Sequence, residues 1–169
     1  MFSLKSFPTS DLYDSSEIEI KEEIFSQYKY ALIYIGVDLS KEDVQDALLN
    51  CNEGFEDAIR ATIAYWYWLT ENSQPFYANA TLLQAIAQRW DSRYWKDEYL
   101  ENPNFKSPTQ IFWEQAARAW GTDERNQIIA DVTEDYILLC TGTRLSFAVA
   151  TRWGWERLRE YARAQTLEV

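Results

Sequence analysis

The sequence contains no histidine and only two cysteines, one methionine, five glycines and four prolines in 169 residues. Without an imidazole, no Ser-His or Cys-His nucleophile pair can form, and metal sites that use histidine are excluded. Two cysteines are too few for a disulfide framework and fit a reduced, cytoplasmic chain. Because no run of about 18 apolar residues occurs, we expect no membrane-spanning helix.

Aromatic and acidic residues are abundant. The chain has 8 Trp, 11 Tyr and 8 Phe, and 27 acidic residues stand against 16 basic ones, for a net charge of −11. The acidity is concentrated in residues 1–60, which carry 13 acidic and 5 basic side chains. This charge opposes a general nucleic-acid-coating role, because nonspecific affinity comes from the neutralisation of phosphates.

The scarcity of glycine and proline leaves long stretches free for helix, and apolar residues recur along them at helical spacing. Ser16, Ser40 and Asn79 are placed to cap helices, and Ser107 precedes Pro108 in the order typical of a helix start. The pattern predicts helices over residues 17–35, 40–51, 55–69, 79–90 with an extension to 100, 107–120, 122–140 and 143–165.

No segment shows sustained alternation of apolar and polar residues with turn signals at strand spacing. The sequence therefore predicts an all-α fold, a single compact bundle-like domain of six or seven mostly antiparallel helices over residues 17–169. A loose N-terminal segment, residues 1–16, precedes it. The loops near 72–79 and 101–107 are the candidate boundaries.

Residues 35–63 resemble the helix–turn–helix core of ubiquitin-associated domains. The matching features are Ile35-Gly36-Val37, the pair Ala47-Leu48, the Cys51-Asn52 turn and the Glu56-x-Ala58-Ile59 start of the next helix. The sequence departs from the family at three points. The turn at Ile35-Gly36-Val37 lacks the family's aromatic residue, two extra residues follow that turn, and Thr62 replaces a large aliphatic residue. The resemblance implies two short helices joined by a turn, and we carry no binding residues over from it.

Two groups of residues have ordinary structural interpretations. The run Tyr65-Trp66-Tyr67-Trp68 points around the whole helix, which is typical of a buried central helix. Cys51 and Cys140 fall on apolar helix faces, where a free thiol serves as a small buried hydrophobe.

Paired carboxylates offer the remaining route to catalysis. In the predicted helix, Asp131 and Asp135 lie at i and i+4 and share a face, and with Glu114 or Glu134 they would offer Mg²⁺ oxygen ligands. Both lie beside the apolar stripe, as side chains on a solvated face do. We therefore expect no metal and no cofactor.

The last predicted helix is basic in an acidic protein, with five arginines and two glutamates between residues 143 and 165. Its candidate binding residues are Arg152, Trp153, Trp155, Arg159 and Arg163. Arginine beside exposed tryptophan suits either a protein interface or phosphate contact with base stacking. The alternative is internal: the arginines pair with Glu156, Glu160 or the acidic N-terminal third, and the tryptophans pack on a neighbouring helix.

A second candidate segment is residues 89–96. As a helix it would place Arg89, Arg93 and Lys96 on one face, with Trp95 beside them, and the same alternatives apply.

These observations favour a non-enzymatic helical protein that binds another protein through the Arg/Trp-bearing C-terminal helix, as a regulator, an adaptor or an acidic inhibitor. The first alternative is a nucleic-acid-associated protein that uses the basic aromatic helix 144–163. The second is a carboxylate-based, metal-dependent enzyme.

Overall fold

The computed structural model describes residues 15–167, with the side chains of residues 16–166. Over that range the chain is mostly helical, with eight α-helices and one small three-stranded sheet. The all-α prediction is thus correct in that the chain is mostly helical, but it misses the sheet. None of the helices between residues 15 and 167 is long and apolar enough to cross a membrane.

The chain divides between Phe105 and Lys106 into two compact units. This boundary falls inside the 101–107 loop, one of the two candidate boundaries. The single domain that the sequence predicts over residues 17–169 remains a prediction. Of the predicted loose segment, residues 1–14 lie outside the described residues, and Ser15 and Ser16 already belong to the first helix.

Four helices build the first unit around one core. They are α1 (Ser15–Ile35), α2 (Glu42–Asn50), α3 (Phe55–Glu71) and α4 (Ala78–Ala87), followed by short 3₁₀ helices at Asp97–Glu101 and Pro103–Phe105. The core is formed by apolar side chains from all four helices and the last 3₁₀ helix, including Phe25, Tyr28, Leu32, Leu48, Ile59, Ile63, Leu82 and Phe105. Lys21 supports this packing, because its Nζ donates to the carbonyls of Leu48 and Leu49 at 2.8 Å, at the C-terminus of α2.

Two predicted helix caps in the first unit are wrong. The N-cap of α2 is Lys41, and Ser40 instead donates from its N–H and hydroxyl to Asp38. The N-cap of α4 is Tyr77, and the side-chain oxygen of Asn79 accepts a hydrogen bond from the Asp38 N–H at 2.8 Å. Asn79 therefore ties α4 to the loop after α1.

The predicted extension of the fourth helix to Leu100 is also wrong. α4 ends at Ala87, and Arg89 takes a positive φ of 51°, a left-handed conformation that a helix cannot continue through. The Trp90 N–H then donates to the Ala85 carbonyl at 3.0 Å. Residues 89–96 consequently form an irregular segment, so Arg89, Arg93 and Lys96 do not share a helix face.

The second unit combines helices with the sheet. Its elements are α5 (Pro108–Trp120), α6 (Thr122–Ile128), β1 (Ile129–Val132), β2 (Tyr136–Leu139), β3 (Arg144–Ser146), α7 (Phe147–Trp153) and α8 (Trp155–Leu167). The predicted start of α5 is confirmed, since the Ser107 hydroxyl accepts from the Gln110 N–H at 3.1 Å and Pro108 follows it. The core contains Phe112, Ala116, Trp120, Ile129, Ile137, Leu139, Ala150 and Leu158.

The predicted helix over residues 122–140 is wrong beyond Ile128. β1 pairs antiparallel with β2, and β2 pairs antiparallel with β3. Thr133 closes the first turn, because its hydroxyl accepts from the N–H of Asp135 and of Tyr136. Such side-chain bonds to nearby backbone compete with helix and favour a turn.

The predicted continuous helix over residues 143–165 is interrupted. Residues 144–146 form β3, and Gly154, with φ 80° and ψ 164°, separates α7 from α8. The backbone at Gly154 lies far from helical geometry and in a region that residues with a side chain rarely enter.

Candidate functional site

A groove with a volume of about 1020 Å³ lies on the first unit, between α3 and the irregular segment after α4. We call it the aromatic groove. Ala61, Ala64, Tyr65 and Trp68 form the α3 side, because residues three and four apart share a helix face. The small side chains of the two alanines leave space for the groove, and the large rings of Tyr65 and Trp68 form its wall.

The opposite side of the aromatic groove is the segment from Gln88 to Tyr99. Several hydrogen bonds fix the path of this segment. In one of them, the Ser92 hydroxyl donates to the Asp57 carboxylate at 2.9 Å and ties the segment to the start of α3. The Trp95 indole N–H donates to Asp97 at 2.9 Å, where the first 3₁₀ helix begins. Four of the nine candidate residues therefore line the groove, namely Arg89, Arg93, Trp95 and Lys96.

The rings of the aromatic groove are partly open to solvent. Trp68 is 56% exposed, Tyr65 38% and Tyr94 76%. The Tyr65 and Trp68 rings are nearly parallel, with an interplanar angle of 18° and centroids 6.0 Å apart. Trp90 meets Tyr65 edge-on at 5.7 Å. Large exposed rings with fixed neighbours provide flat apolar contact area at a low cost in conformational entropy.

The inner end of the aromatic groove is anchored to the core. Trp95 is half-buried, with its ring 5.8 Å from that of buried Tyr28 and 5.6 Å from that of Tyr99. Tyr99 stacks on Tyr67 at 4.1 Å, and the Tyr67 hydroxyl donates to the Tyr99 carbonyl at 3.0 Å. Trp95 and Tyr99 are therefore the fixed parts of the surface.

Charged side chains of both signs also line the groove: Arg89, Arg93 and Lys96 are basic, and Glu71 and Asp91 are acidic. Arg93 donates to both carboxylate oxygens of Asp91, and these hydrogen bonds lower the pKa of Asp91 and raise that of Arg93. Arg89 forms an ion pair with Glu53 at 3.2 Å, and both side chains are more than two-thirds exposed. Exposed pairs of this kind contribute little to stability, so they can exchange partners.

The arginines of the C-terminal candidate set are held within the second unit. Arg159 donates to both carboxylate oxygens of Glu156 at 2.9 Å and lies 3.5 Å from Glu124, and Arg163 reaches the same Glu124 at 2.5 Å. Arg152 is exposed, and its Nε donates to the Ala148 carbonyl of its own helix at 3.3 Å.

Both tryptophans of the C-terminal set pack against the second core. Trp155 contacts the rings of Phe112 at 4.7 Å and Trp120 at 5.5 Å. Trp153 contacts Tyr161 at 5.1 Å and has the Arg157 guanidinium over its ring. The five residues therefore do not form a contiguous exposed surface like that of the aromatic groove.

The carboxylate pair considered for metal binding is also separated. Asp131 lies in β1 and Asp135 lies in the following turn, so the shared helix face predicted for them does not exist. Within residues 15–167, no group of three or more metal-ligating side chains occurs.

The two cysteines differ in burial. Cys51 is buried as predicted, and burial raises the pKa of its thiol. Cys140 is exposed just after β2, so its predicted burial is wrong.

Tyr65 and Trp68 are groove residues that the aromatic run over residues 65–68 does not indicate, because that run predicts a buried central helix. The structure leaves Tyr65 and Trp68 exposed and only half-buries Trp66 and Tyr67, so that assignment is wrong. The signal for them was present in the sequence. Ala61 and Ala64 precede Tyr65 and Trp68 on a face separate from that of Ile59 and Ile63.

No protein-family model matches the chain, and no curated protein or solved structure does so either.

Proposed function

We propose that the protein is a non-enzymatic binding protein whose working surface is the aromatic groove of the first unit. One observation carries this proposal: three of the five exposed large aromatic side chains among the described residues, Tyr65, Trp68 and Tyr94, line a single concave surface. Exposed aromatic clusters rimmed by polar residues are typical of interaction sites. Tryptophan, tyrosine and arginine are also the residues that most often dominate binding energy at protein interfaces.

The partner we propose is another protein. The Arg/Trp-bearing C-terminal segment offers less, because Arg159 and Arg163 pair with Glu124 and Glu156 and Trp155 packs against the core of the second unit. The proposed compartment is the cytoplasm, where two free thiols are ordinary.

Affinity capture with matched variants tests the proposal. The full-length protein, the groove variants Trp68→Ala and Tyr94→Ala, and the control Tyr77→Ala are each used as bait, and captured proteins are quantified by mass spectrometry. Tyr77 is a suitable control, because it is 71% exposed but does not line the groove. We expect a stoichiometric partner that the wild type and Tyr77→Ala recover and that both groove variants lose. Equal recovery by all four baits would overturn the proposal.

Single-stranded nucleic acid is the second candidate ligand of the same groove. The near-parallel, exposed Tyr65 and Trp68 rings suit base stacking, and Arg89, Arg93 and Lys96 suit phosphates. The acidic residues in the groove and the net charge of −11 oppose it. Fluorescence anisotropy at low salt separates the two candidates: nucleic-acid binding at micromolar protein that Trp68→Ala abolishes would favour the second.

A further inference from the structure

The charge of the first unit favours a cation over an anion in the aromatic groove. Residues 1–105 carry 18 acidic and 8 basic side chains, a net charge of −10. The field of such a surface attracts cations and repels anions, and it extends about 8 Å into solvent at physiological salt. An acidic peptide, a nucleic acid and a second copy of this chain, with its net charge of −11, are all repelled by it.

Two of the three basic side chains that line the groove are already neutralised. The Arg93 guanidinium lies 2.9 Å from a carboxylate oxygen of Asp91. The Arg89 guanidinium lies 3.2 Å from a carboxylate oxygen of Glu53. Lys96 alone has no ion-pair partner among the described residues. The lining therefore offers an anion one unpaired positive charge.

Unpaired carboxylates outnumber this ammonium group. Glu71 lines the groove, is exposed and forms no ion pair with a described residue. Asp57 and Asp97 also form no ion pair within the described part of the chain. Both contact the lining, because they accept hydrogen bonds at 2.9 Å from the Ser92 hydroxyl and the Trp95 indole N–H. Three carboxylates thus stand against one ammonium group, so the charge at the groove has the same sign as that of the unit.

The rings of the groove provide a second feature that a cation requires. The face of an aromatic ring is partially negative and attracts a Lys or Arg side chain within about 6 Å of its centroid. One groove ring already makes this contact, since the Arg60 guanidinium lies 5.3 Å from the Trp95 centroid. Within residues 16–166, no basic side chain lies over Tyr65 or Trp68. The exposed parts of these two rings are therefore open to a cation from a partner.

We infer that the occupant of the aromatic groove is a basic segment of a partner protein, with several arginine or lysine side chains. This inference rests on the proposed function and names the chemistry of the partner. Glu71 follows Trp68 by three residues in α3, so the carboxylate and the ring share a helix face and can contact one cationic side chain together. Lys96 opposes the binding of such a segment.

Labelled peptides provide the first test. The full-length protein is titrated into a peptide of alternating arginine and serine, into the same peptide with every arginine replaced by glutamine, and into one with every arginine replaced by glutamate. We expect the arginine peptide to bind at least about tenfold more tightly than the glutamine peptide, because only arginine supplies cations for the rings and carboxylates. The glutamate peptide should bind most weakly.

Matched charge variants locate this binding in the groove. Glu71→Lys should weaken binding of the arginine peptide about fivefold, because repulsion replaces attraction, and Lys96→Glu should strengthen it about fivefold for the opposite reason. Glu42→Lys makes the same change in net charge as Glu71→Lys at an exposed residue of α2 outside the groove, so it should cost less than about twofold. Trp68→Ala should weaken binding about fivefold or more, while Tyr77→Ala leaves it unchanged.

Several results would overturn the inference. These are equal affinity for the arginine and glutamine peptides, equal losses in Glu71→Lys and Glu42→Lys, weaker binding by Lys96→Glu, unchanged binding by a folded Trp68→Ala, and tighter binding of single-stranded nucleic acid than of the arginine peptide. Glu71 and Lys96 are exposed, so their variants keep the test valid if Trp68→Ala fails to fold. Groove-dependent capture of a partner that the arginine peptide does not displace would reject this inference and keep the proposed function. Capture that does not depend on the groove would reject both.

Discussion

At the level of single residues, Arg60 links the core of the first unit to the aromatic groove. Its Nε donates to the hydroxyl of buried Tyr28 at 2.7 Å, and its guanidinium lies 5.3 Å from the centroid of the Trp95 ring. Burial raises the pKa of Tyr28 above its ordinary value of 10.0, and the hydrogen bond from Arg60 opposes this rise without cancelling it. The folded protein therefore favours the neutral phenol.

Tyr28→Phe should make the protein less sensitive to alkali. Because the pKa of Tyr28 is raised on folding, its contribution to the free energy of unfolding is complete below pH 10 and falls as pH rises from 10.0 towards the folded value. We expect the variant to lose about 1 kcal/mol at neutral pH, for the missing hydrogen bond, and to decline less steeply above about pH 10. Urea denaturation at several pH values measures both. Tyr77→Phe, at an exposed site, is the control, and a wild-type slope in Tyr28→Phe would contradict the assignment.

Single residues also show which part of the groove the sequence could indicate. The segment containing Arg89, Arg93, Trp95 and Lys96 was identifiable, because basic and aromatic residues alternate there in a chain that is otherwise acidic. Periodicity could not show that Trp155 packs into a core or that Trp68 does not. Both are apolar residues on helices, and only tertiary packing decides which face of each helix is covered.

At the level of elements, the helical positions were predictable and the sheet was not. In α5, residues at the two ends determine the bounds of the helix: Ser107 caps it, Pro108 begins it and Gly121 ends it. Between residues 129 and 139, the spacing of Ile129, Val132, Tyr136 and Leu139 fits both a helical stripe and two short strands. The turn at Thr133 and the pairing with β3 decide for strands, and pairing with a distant segment is invisible to local periodicity.

Gly154→Ala distinguishes the observed break from the continuous helix that periodicity predicted. Gly154 has φ 80° and ψ 164°, and a Cβ there would meet no atom within 4 Å, so the cost of alanine is conformational rather than steric. We expect the variant to lose about 1–3 kcal/mol of stability. In a continuous helix the same change would increase stability by about 0.5–1 kcal/mol, so the sign of the effect decides. Urea denaturation followed by circular dichroism measures it.

Gly54→Ala is the matched control for this measurement. Gly54 also has a positive φ, 69°, and open space at its Cβ position, but its ψ of 24° lies near the left-handed helical region that other residues can enter. Its substitution should cost less than that of Gly154. A larger loss for Gly54→Ala, or a gain for Gly154→Ala, would contradict the backbone description of the α7–α8 break.

At the level of the whole molecule, the two units differ in charge more than in size. The 18 acidic and 8 basic side chains of residues 1–105 give that unit a net charge of −10, whereas 9 acidic and 8 basic side chains give residues 106–169 a net charge of −1. Net charge far from zero destabilises a compact state through self-repulsion. The second unit instead contains an ion-pair network in which Arg159 and Arg163 share Glu124.

Salt should therefore stabilise the first unit and not the second. The Debye length falls from about 30 Å at about 10 mM to about 8 Å at about 150 mM salt. NaCl therefore screens the net repulsion within the first unit and weakens the partly exposed ion pairs of Glu124 and Glu156 in the second. We expect amide hydrogen exchange to slow in α1–α4 and to stay constant or quicken in α5–α8. Sucrose, which strengthens burial without screening charge, is the control and should slow exchange in both units. Equal slowing of exchange in both units by NaCl would show that self-repulsion does not limit the stability of the first unit. Screening of charge should slow exchange in the first unit only, whereas an effect like that of sucrose slows it in both.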